Sequence, residues 1–198
     1  MFMRFLIFIW IDISTRNALW SHASFFLKNQ ITHLFHFCSY VVFKSLAGMQ
    51  WASENLTNET LYSNGDNDVL VNLTKLHNLI DEKKTHFTKT MTFPIICVYG
   101  GRVNDHPVRN PKSKYYISKK QYAKDAWPRF CLGGFYTTNV ATVSQFYAKS
   151  KTKPYLAMDN VWITGILRIK LNISDDEIIF HNVGGITIHK HGKLIISK

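Results

Sequence analysis

Residues 64–76 read NGDNDVLVNLTKL, and how that stretch divides decides the fold. Two carboxylates, Asp66 and Asp68, flank Asn67 and run straight into the apolar Val69, Leu70 and Val71. From Leu73 the spacing changes: Leu73, Leu76, Leu79 and Ile80 fall on one face of a helix before the polar DEKK. The stretch therefore predicts a strand, an acidic turn and a helix, with the acids on the connection. Such strand-to-helix connections are where open α/β sheets bind ligands. In a chain with 13 acidic and 24 basic residues, crowding two carboxylates beside hydrophobic surface is unfavourable unless something positive binds them.

Working upstream, KSLAGMQWASENL places Leu46, Met49, Trp51 and Ala52 at helical spacing and predicts a helix ending near the polar cluster ASENLTNET. A short strand is expected over residues 60–63, with a turn through Asn64 and Gly65. Downstream, TFPIICVYGGRV reads as a buried strand entering a glycine turn, and residues 104–120 as a polar loop rich in Pro and Lys. WPRFCLGGFYTTN puts Gly133 and Gly134 at a bend where backbone approaches a ligand or a strand closely. Val140, Val143, Phe146 and Tyr147 mark another helix with Asn139 as its N-cap, and a fourth is expected from Asp159 to Leu171. The tail IIFHNVGGITIHKHGKLIIS reads as strands around a Gly184-Gly185 turn. Strands interleaved with helices predict an α/β sandwich with a mixed, mostly parallel sheet.

At 198 residues the chain is sized for one domain with a full core. Its 46% hydrophobic content, with 14 Phe, 9 Tyr and 5 Trp, excludes a disordered chain. The net charge of +11 is concentrated around residues 112–124 and 149–153. Neither patch carries a zinc, helix-turn-helix or aromatic RNA-binding signature, so nucleic acid is not an expected partner. A basic face suited to a phosphate-bearing small substrate is. The three cysteines, Cys38, Cys97 and Cys131, fit either one disulfide with a free thiol or three buried thiols. Sequons start at Asn55, Asn58, Asn72 and Asn172 and point toward a secretory lumen. The apolar run from Phe5 to Ile11 is shorter than the roughly 20 residues a spanning helix needs. It reads as a signal-peptide core, a buried strand or the remnant of a longer protein.

Paired carboxylates on a tight turn are hard-oxygen donors suited to Mg²⁺ or Mn²⁺, with a plain turn or N-cap role as the alternative. The surroundings sharpen the choice. In order, KSLAGMQW, DNDVLVNLTKL, GGRVNDHPVRNPKSKYYIS, WPRFCLGGFYTT and LAMDNVWITGIL resemble blocks of the beta-1,3-galactosyltransferase family, glycosyltransferase family 31, over roughly residues 40–173. The resemblance implies a GT-A type domain over residues 36–198, with an unassigned hydrophobic segment over 1–35. It implies inverting transfer of a hexose from UDP-galactose or UDP-N-acetylglucosamine to a sugar hydroxyl of a glycoprotein or glycolipid, by a Golgi membrane protein. Asp66 and Asp68 match the outer acids of the family's cation-binding block, where Asn67 replaces the middle one, and Mn²⁺ (or Mg²⁺) is the implied cofactor. His189, or His191, could add an imidazole ligand. Arg109, Lys114 and Tyr116, then Gly133, Gly134 and Tyr136, fall in blocks that line the family's sugar pocket, whereas Phe130 and Phe135 read as core.

An inverting transfer also needs a base for the acceptor proton. The family's E/D-D-V motif corresponds here to Asp159, Asn160 and Val161. Asp159 is thus the candidate base, and Asn160 presents an amide, which accepts no proton near neutral pH. With few residues ahead of Asp66, the uridine-binding strands of the family are not recognisable, and a truncated or divergent N-terminal half is expected. These departures leave a non-catalytic relative acting as a binding partner as the alternative.

Overall fold

In a computed structural model the described residues are 8–11, 18–21, 37–66, 69–86, 93–181 and 185–189. The main sheet holds six strands in the order β2, β1, β3, β8, β5, β9. These are β1 (Phe8–Ile11), β2 (Ala18–Ser21), β3 (Leu61–Gly65), β5 (Ile95–Cys97), β8 (Phe135–Asn139) and β9 (Ile178–Phe180). Two small ribbons flank it: β4 (Val69–Val71) with β10 (Thr187–His189), and β6 (Gly101–Arg102) with β7 (Phe130–Cys131).

Successive residues of the central strands bury on opposite faces, as the two-residue period of a strand requires. Tyr62, Ile95, Cys97 and Tyr136 pack into one core, and Leu61, Ile96, Val98 and Phe135 into another. The first core is closed by α1 (Phe37–Asn55), α3 (Val140–Ser150) and a helix over residues 161–170. Val42, Leu46, Met49 and Ala52 line the buried stripe of α1, at the three- and four-residue steps that keep side chains on one helix face. The second core is closed by α2 (Leu73–His86) through Leu76, Leu79 and Ile80. The sheet thus lies between two helical layers, the expected α/β sandwich.

Its pairing differs from expectation. Among the strands of the main sheet only β5 and β9 pair parallel, and the other ladders are antiparallel. The cause is β8. Asp66 N–H, just past the end of β3, donates to Gly134 O at 3.1 Å, so the chain re-enters the sheet where β3 leaves it and must run back. β3, β5 and β9 still point the same way, with β8 reversed between the first two. On the other side of β3 the strand β1 is also reversed, with Ile9 opposite Ser63 and Ile11 opposite Leu61.

Two boundaries shift. Asn64 and Gly65 are the last residues of β3 rather than its turn, because Gly65 leaves room for the Phe135 ring. A Cβ there would lie 2.5 Å from Phe135 Cδ2. The fourth helix winds as a π-helix over Val161–Leu167 before a last α turn, Arg168–Lys170. Thr164 Oγ1 donates to Asn160 O at 2.6 Å and accepts from Cys131 N–H at 3.0 Å, a side-chain intrusion that loosens regular winding. Asn139 caps α3 as expected, accepting from Thr142 N–H at 2.9 Å. β9 and β10 are present on either side of the Gly185 turn, where φ is +95°, but they join different sheets. Gly184 lies outside the described residues. Cys97 and Cys131 form a disulfide, which removes the reading of three buried thiols. No helix among the described residues is long and apolar enough to cross a membrane.

Candidate functional site

The carboxyl ends of β3, β5 and β9 meet at one edge of the sheet. Gly65 pairs with Phe135, Tyr99 N–H donates to Phe135 O at 3.1 Å, and His181 N–H donates to Cys97 O at 3.1 Å. This is the edge at which open α/β sheets take ligands. Asp66 follows β3 directly, held by its N–H on Gly134 O, while its own carbonyl accepts from Val69 N–H at 3.2 Å. Asn67 and Asp68 lie outside the described residues. His189 reaches the same place by register: β10 pairs antiparallel with β4, and His189 stands opposite Val69, the residue after Asp68. His191 falls outside the described residues. Among the described residues no three His, Cys, Asp or Glu side chains gather as a metal site.

Gly133 and Gly134 connect this turn to the acid motif, each for its own reason. A Cβ on Gly134 would lie 2.4 Å from the Tyr99 ring, so glycine there lets Tyr99 pack. A Cβ on Gly133 would meet the Asn160 side chain, with Cγ and Nδ2 both at 3.8 Å, an ordinary contact. Asn160 in turn donates from Nδ2 to Cys131 O at 3.2 Å. Its neighbour Asp159 accepts from Ser45 Oγ at 3.2 Å, across from α1. Burial pushes the Asp159 carboxyl above its ordinary value, and the Asn160 N–H and the Ser45 hydroxyl pull partly the other way.

Above Asp159 the sheet presents a polar face that hydrophobic patterning alone does not reveal. Tyr62, Asn64, Tyr136 and Thr138 are buried and face one another as cross-strand pairs, Tyr62 with Thr138 and Asn64 with Tyr136. The Tyr136 hydroxyl is raised well above its usual range by burial first, then by the fields of Tyr62 and Asp159, with Asn64 opposing. Asn64 Oδ1, Tyr136 OH and Thr138 Oγ1 are nonetheless buried without a hydrogen bond of normal geometry. Buried polar atoms are rarely left so, and three on one face form a polar cradle within the core. Ser45, Tyr62, Asn64 and Thr138 escape the motif reading. No periodic signal marks them, since all five residues of LYSNG are buried and Ser63 between Tyr62 and Asn64 is polar as well.

The structure thus brings Asp66, Gly133, Gly134, Tyr136, Asp159 and Asn160 to one edge. Arg109, Lys114 and Tyr116 stand apart on the long loop between β6 and β7. Arg109 gives its guanidinium to the carbonyls of Ile117, Tyr122 and Lys124 at 2.7, 2.9 and 2.7 Å, so it holds the loop together. Lys114 and Tyr116 are exposed on that loop. Phe130 and Phe135 are buried core, as expected.

Comparison with known proteins agrees with this arrangement. The chain is 30% identical to human beta-1,3-galactosyltransferase 5 over 135 residues, which cover 68% of this chain and 41% of that protein. It is 27% identical over 141 residues to beta-1,3-galactosyltransferase brn of Drosophila melanogaster, covering 70% and 42%. Against mouse beta-1,3-galactosyltransferase 1 it is 29% identical over 131 residues, covering 66% and 38%. The chain thus spans about two fifths of the length of these relatives. The sequence profile of the galactosyltransferase family matches residues 38–178, a span that takes in the acidic turn, the glycine bend and the acid motif alike, and the chain belongs to that family.

Proposed function

We propose that the domain over residues 36–198 is a glycosyltransferase that moves galactose or N-acetylglucosamine from a UDP-sugar to an acceptor sugar hydroxyl with inversion. The observation that carries this reading is the Asp66 N–H to Gly134 O bond. It gathers the acidic turn, the glycine bend and the Asp159–Asn160 motif at the sheet edge where ligands bind. Asp66, Asp68 and His189 would hold a divalent cation, and two carboxylates with one imidazole suit Mn²⁺. Such an ion, when bound, neutralises the donor diphosphate as it leaves. The register that sets His189 opposite Val69 supports the donor set.

Asp159 then takes the proton of the acceptor hydroxyl. The O–H bond breaks, the hydroxyl oxygen attacks the anomeric carbon from the face opposite the diphosphate, and the bond from that carbon to the diphosphate oxygen breaks. A raised pKa makes Asp159 a stronger base than an exposed aspartate. Gly133 gives the sugar room beside Asn160. Work in the Golgi lumen on glycoprotein or glycolipid acceptors, from a membrane-anchored protein, extends the same resemblance, and the sequons agree with a lumenal setting.

The test is transfer of radiolabelled sugar from each UDP-sugar with Mn²⁺ present, alongside calorimetry with UDP and Mn²⁺. Transfer that Asp159→Asn abolishes, with Mn²⁺-dependent UDP binding that Asp68→Ala abolishes, is the expected result. Neither transfer nor donor hydrolysis with either sugar nucleotide would overturn the reading in favour of a non-catalytic relative.

A further inference from the structure

The loop between β6 and β7 leaves the sheet edge next to the candidate site and returns to it. It begins at Arg102, whose strand follows β5, and ends at Phe130, whose strand runs into Gly133. Residues 102–125 carry Arg102, Arg109, Lys112, Lys114, Lys119, Lys120 and Lys124 against only Asp105 and Asp125. Both acids are engaged within the loop. Asp125 pairs with Lys119, and Asp105 Oδ1 accepts from His106 N–H at 2.8 Å. Arg109 is engaged too, on three backbone carbonyls. Lys112, Lys120 and Lys124 are exposed, and no carboxylate among the described residues pairs with them. The excess positive charge is therefore presented outward.

The surface that presents it is built rather than loose. Ile117 and Trp127 are buried in the main core, and Trp127 N–H donates to Asp105 O at 2.7 Å. Tyr122 lies against Trp127 with ring centroids 4.3 Å apart, and its hydroxyl donates to Ala126 O at 3.0 Å. On this frame Tyr115 and Tyr116 stand 49% and 39% exposed, with Lys114 Nζ 4.7 Å from the Tyr115 ring centre. A flat ring with a polar tip offers a sugar both an apolar face and a hydrogen bond, and ammonium groups beside it favour an anionic substituent.

We propose that this loop is a binding surface for the acceptor and that the acceptor is an acidic saccharide, one carrying sulfate, phosphate or a uronate carboxyl. The inference rests on the glycosyltransferase reading and names its acceptor class. An anionic group on the acceptor sits among Lys112, Lys120 and Lys124 while the sugar ring stacks on Tyr115, which leaves the reacting hydroxyl toward the Asp159 edge.

The test reads binding without donor, so that it stands apart from transfer. A β-N-acetylglucosaminide bearing a 6-sulfate and the same glycoside without sulfate are titrated into the full chain at low and at physiological salt. The sulfated glycoside is expected to bind about 10-fold tighter, and the difference to shrink as salt screens it. Lys112→Ala/Lys120→Ala/Lys124→Ala removes that preference and leaves the neutral glycoside unchanged, while Tyr115→Ala weakens both. The charge-matched control Lys149→Ala/Lys151→Ala/Lys153→Ala keeps the preference. Equal binding of the two glycosides overturns the proposal, as does equal loss in the loop variant and the control. Tighter loop-dependent binding of a single-stranded oligonucleotide, or of phosphatidylserine vesicles, than of the sulfated glycoside overturns it as well. Failure of transfer to any acceptor, with sulfate preference intact, instead counts against the catalytic reading alone.

Discussion

Asn160 donates its amide hydrogen to the Cys131 carbonyl, a bond that an ionised carboxylate at this position would turn into a repulsion between oxygens. The amide that removes a potential base thus secures the end of β7, and Asp159 is left as the acid of the motif. Its burial has a consequence for stability. Because the folded pKa lies above the unfolded value of about 3.9, Asp159 contributes most to folding below that unfolded value, where it is protonated in both states. That contribution is lost as pH rises through the folded value. Asp159→Asn, which keeps the shape and still accepts from Ser45, is therefore expected to melt a few degrees higher than the wild type at pH 7. The gain should vanish near pH 4, and an equal gain at both values in paired thermal melts would show that burial of charge is not its source. Ser45→Ala removes a donor to the carboxylate and should move the acid limb of the kcat/KM profile to higher pH.

At the level of elements, the two adjacent glycines separate by steric surroundings rather than by backbone angle. Gly134→Ala drives a Cβ to 2.4 Å from the Tyr99 ring, and overpacking of this kind costs about 1–3 kcal/mol. Gly133→Ala meets ordinary contact distances and should fold with wild-type stability, so any loss of donor or acceptor affinity in it reports on the ligand side of the bend. Urea titration of both variants checks the pair, and comparable destabilisation would contradict the geometry. The same stretch shows what sequence makes legible. The helical spacing of Leu73 to Ile80 is visible because that helix has one apolar face, and IIC because its run is apolar throughout and buries on both faces of the sheet. The direction of β8 is not, because it is set by a contact between Asp66 and Gly134, 68 positions apart. Nor is the polar lining of β3, since Tyr62 and Asn64 are buried for their partners on β8 and not for their hydrophobicity. Motif resemblance singles out Asp159 as a candidate base, and only packing shows that Ser45 on α1 donates to it.

Across the whole molecule, the Cys97–Cys131 disulfide ties the centre of the sheet to the root of the basic loop. Cys97 pairs with Tyr136 and with Phe180, and Cys131 accepts from Asn160 Nδ2 and donates its N–H to Thr164 Oγ1, so the bond joins the polar cradle, the acid motif and the loop. Its cysteines are 34 positions apart, and closing a loop of that length restricts the unfolded chain by about 3–4 kcal/mol. Cys97→Ala/Cys131→Ala is expected to lose roughly that amount in urea denaturation, with the wild type under reductant approaching the same midpoint. Affinity for the acceptor should fall further than stability alone accounts for, since loosening Cys131 frees both Asn160 and the returning end of the loop. If the double variant unfolds at the wild-type midpoint, the two thiols are not joined in the protein, and the placement of the loop against the sheet edge rests on the Ile117 and Trp127 core contacts instead.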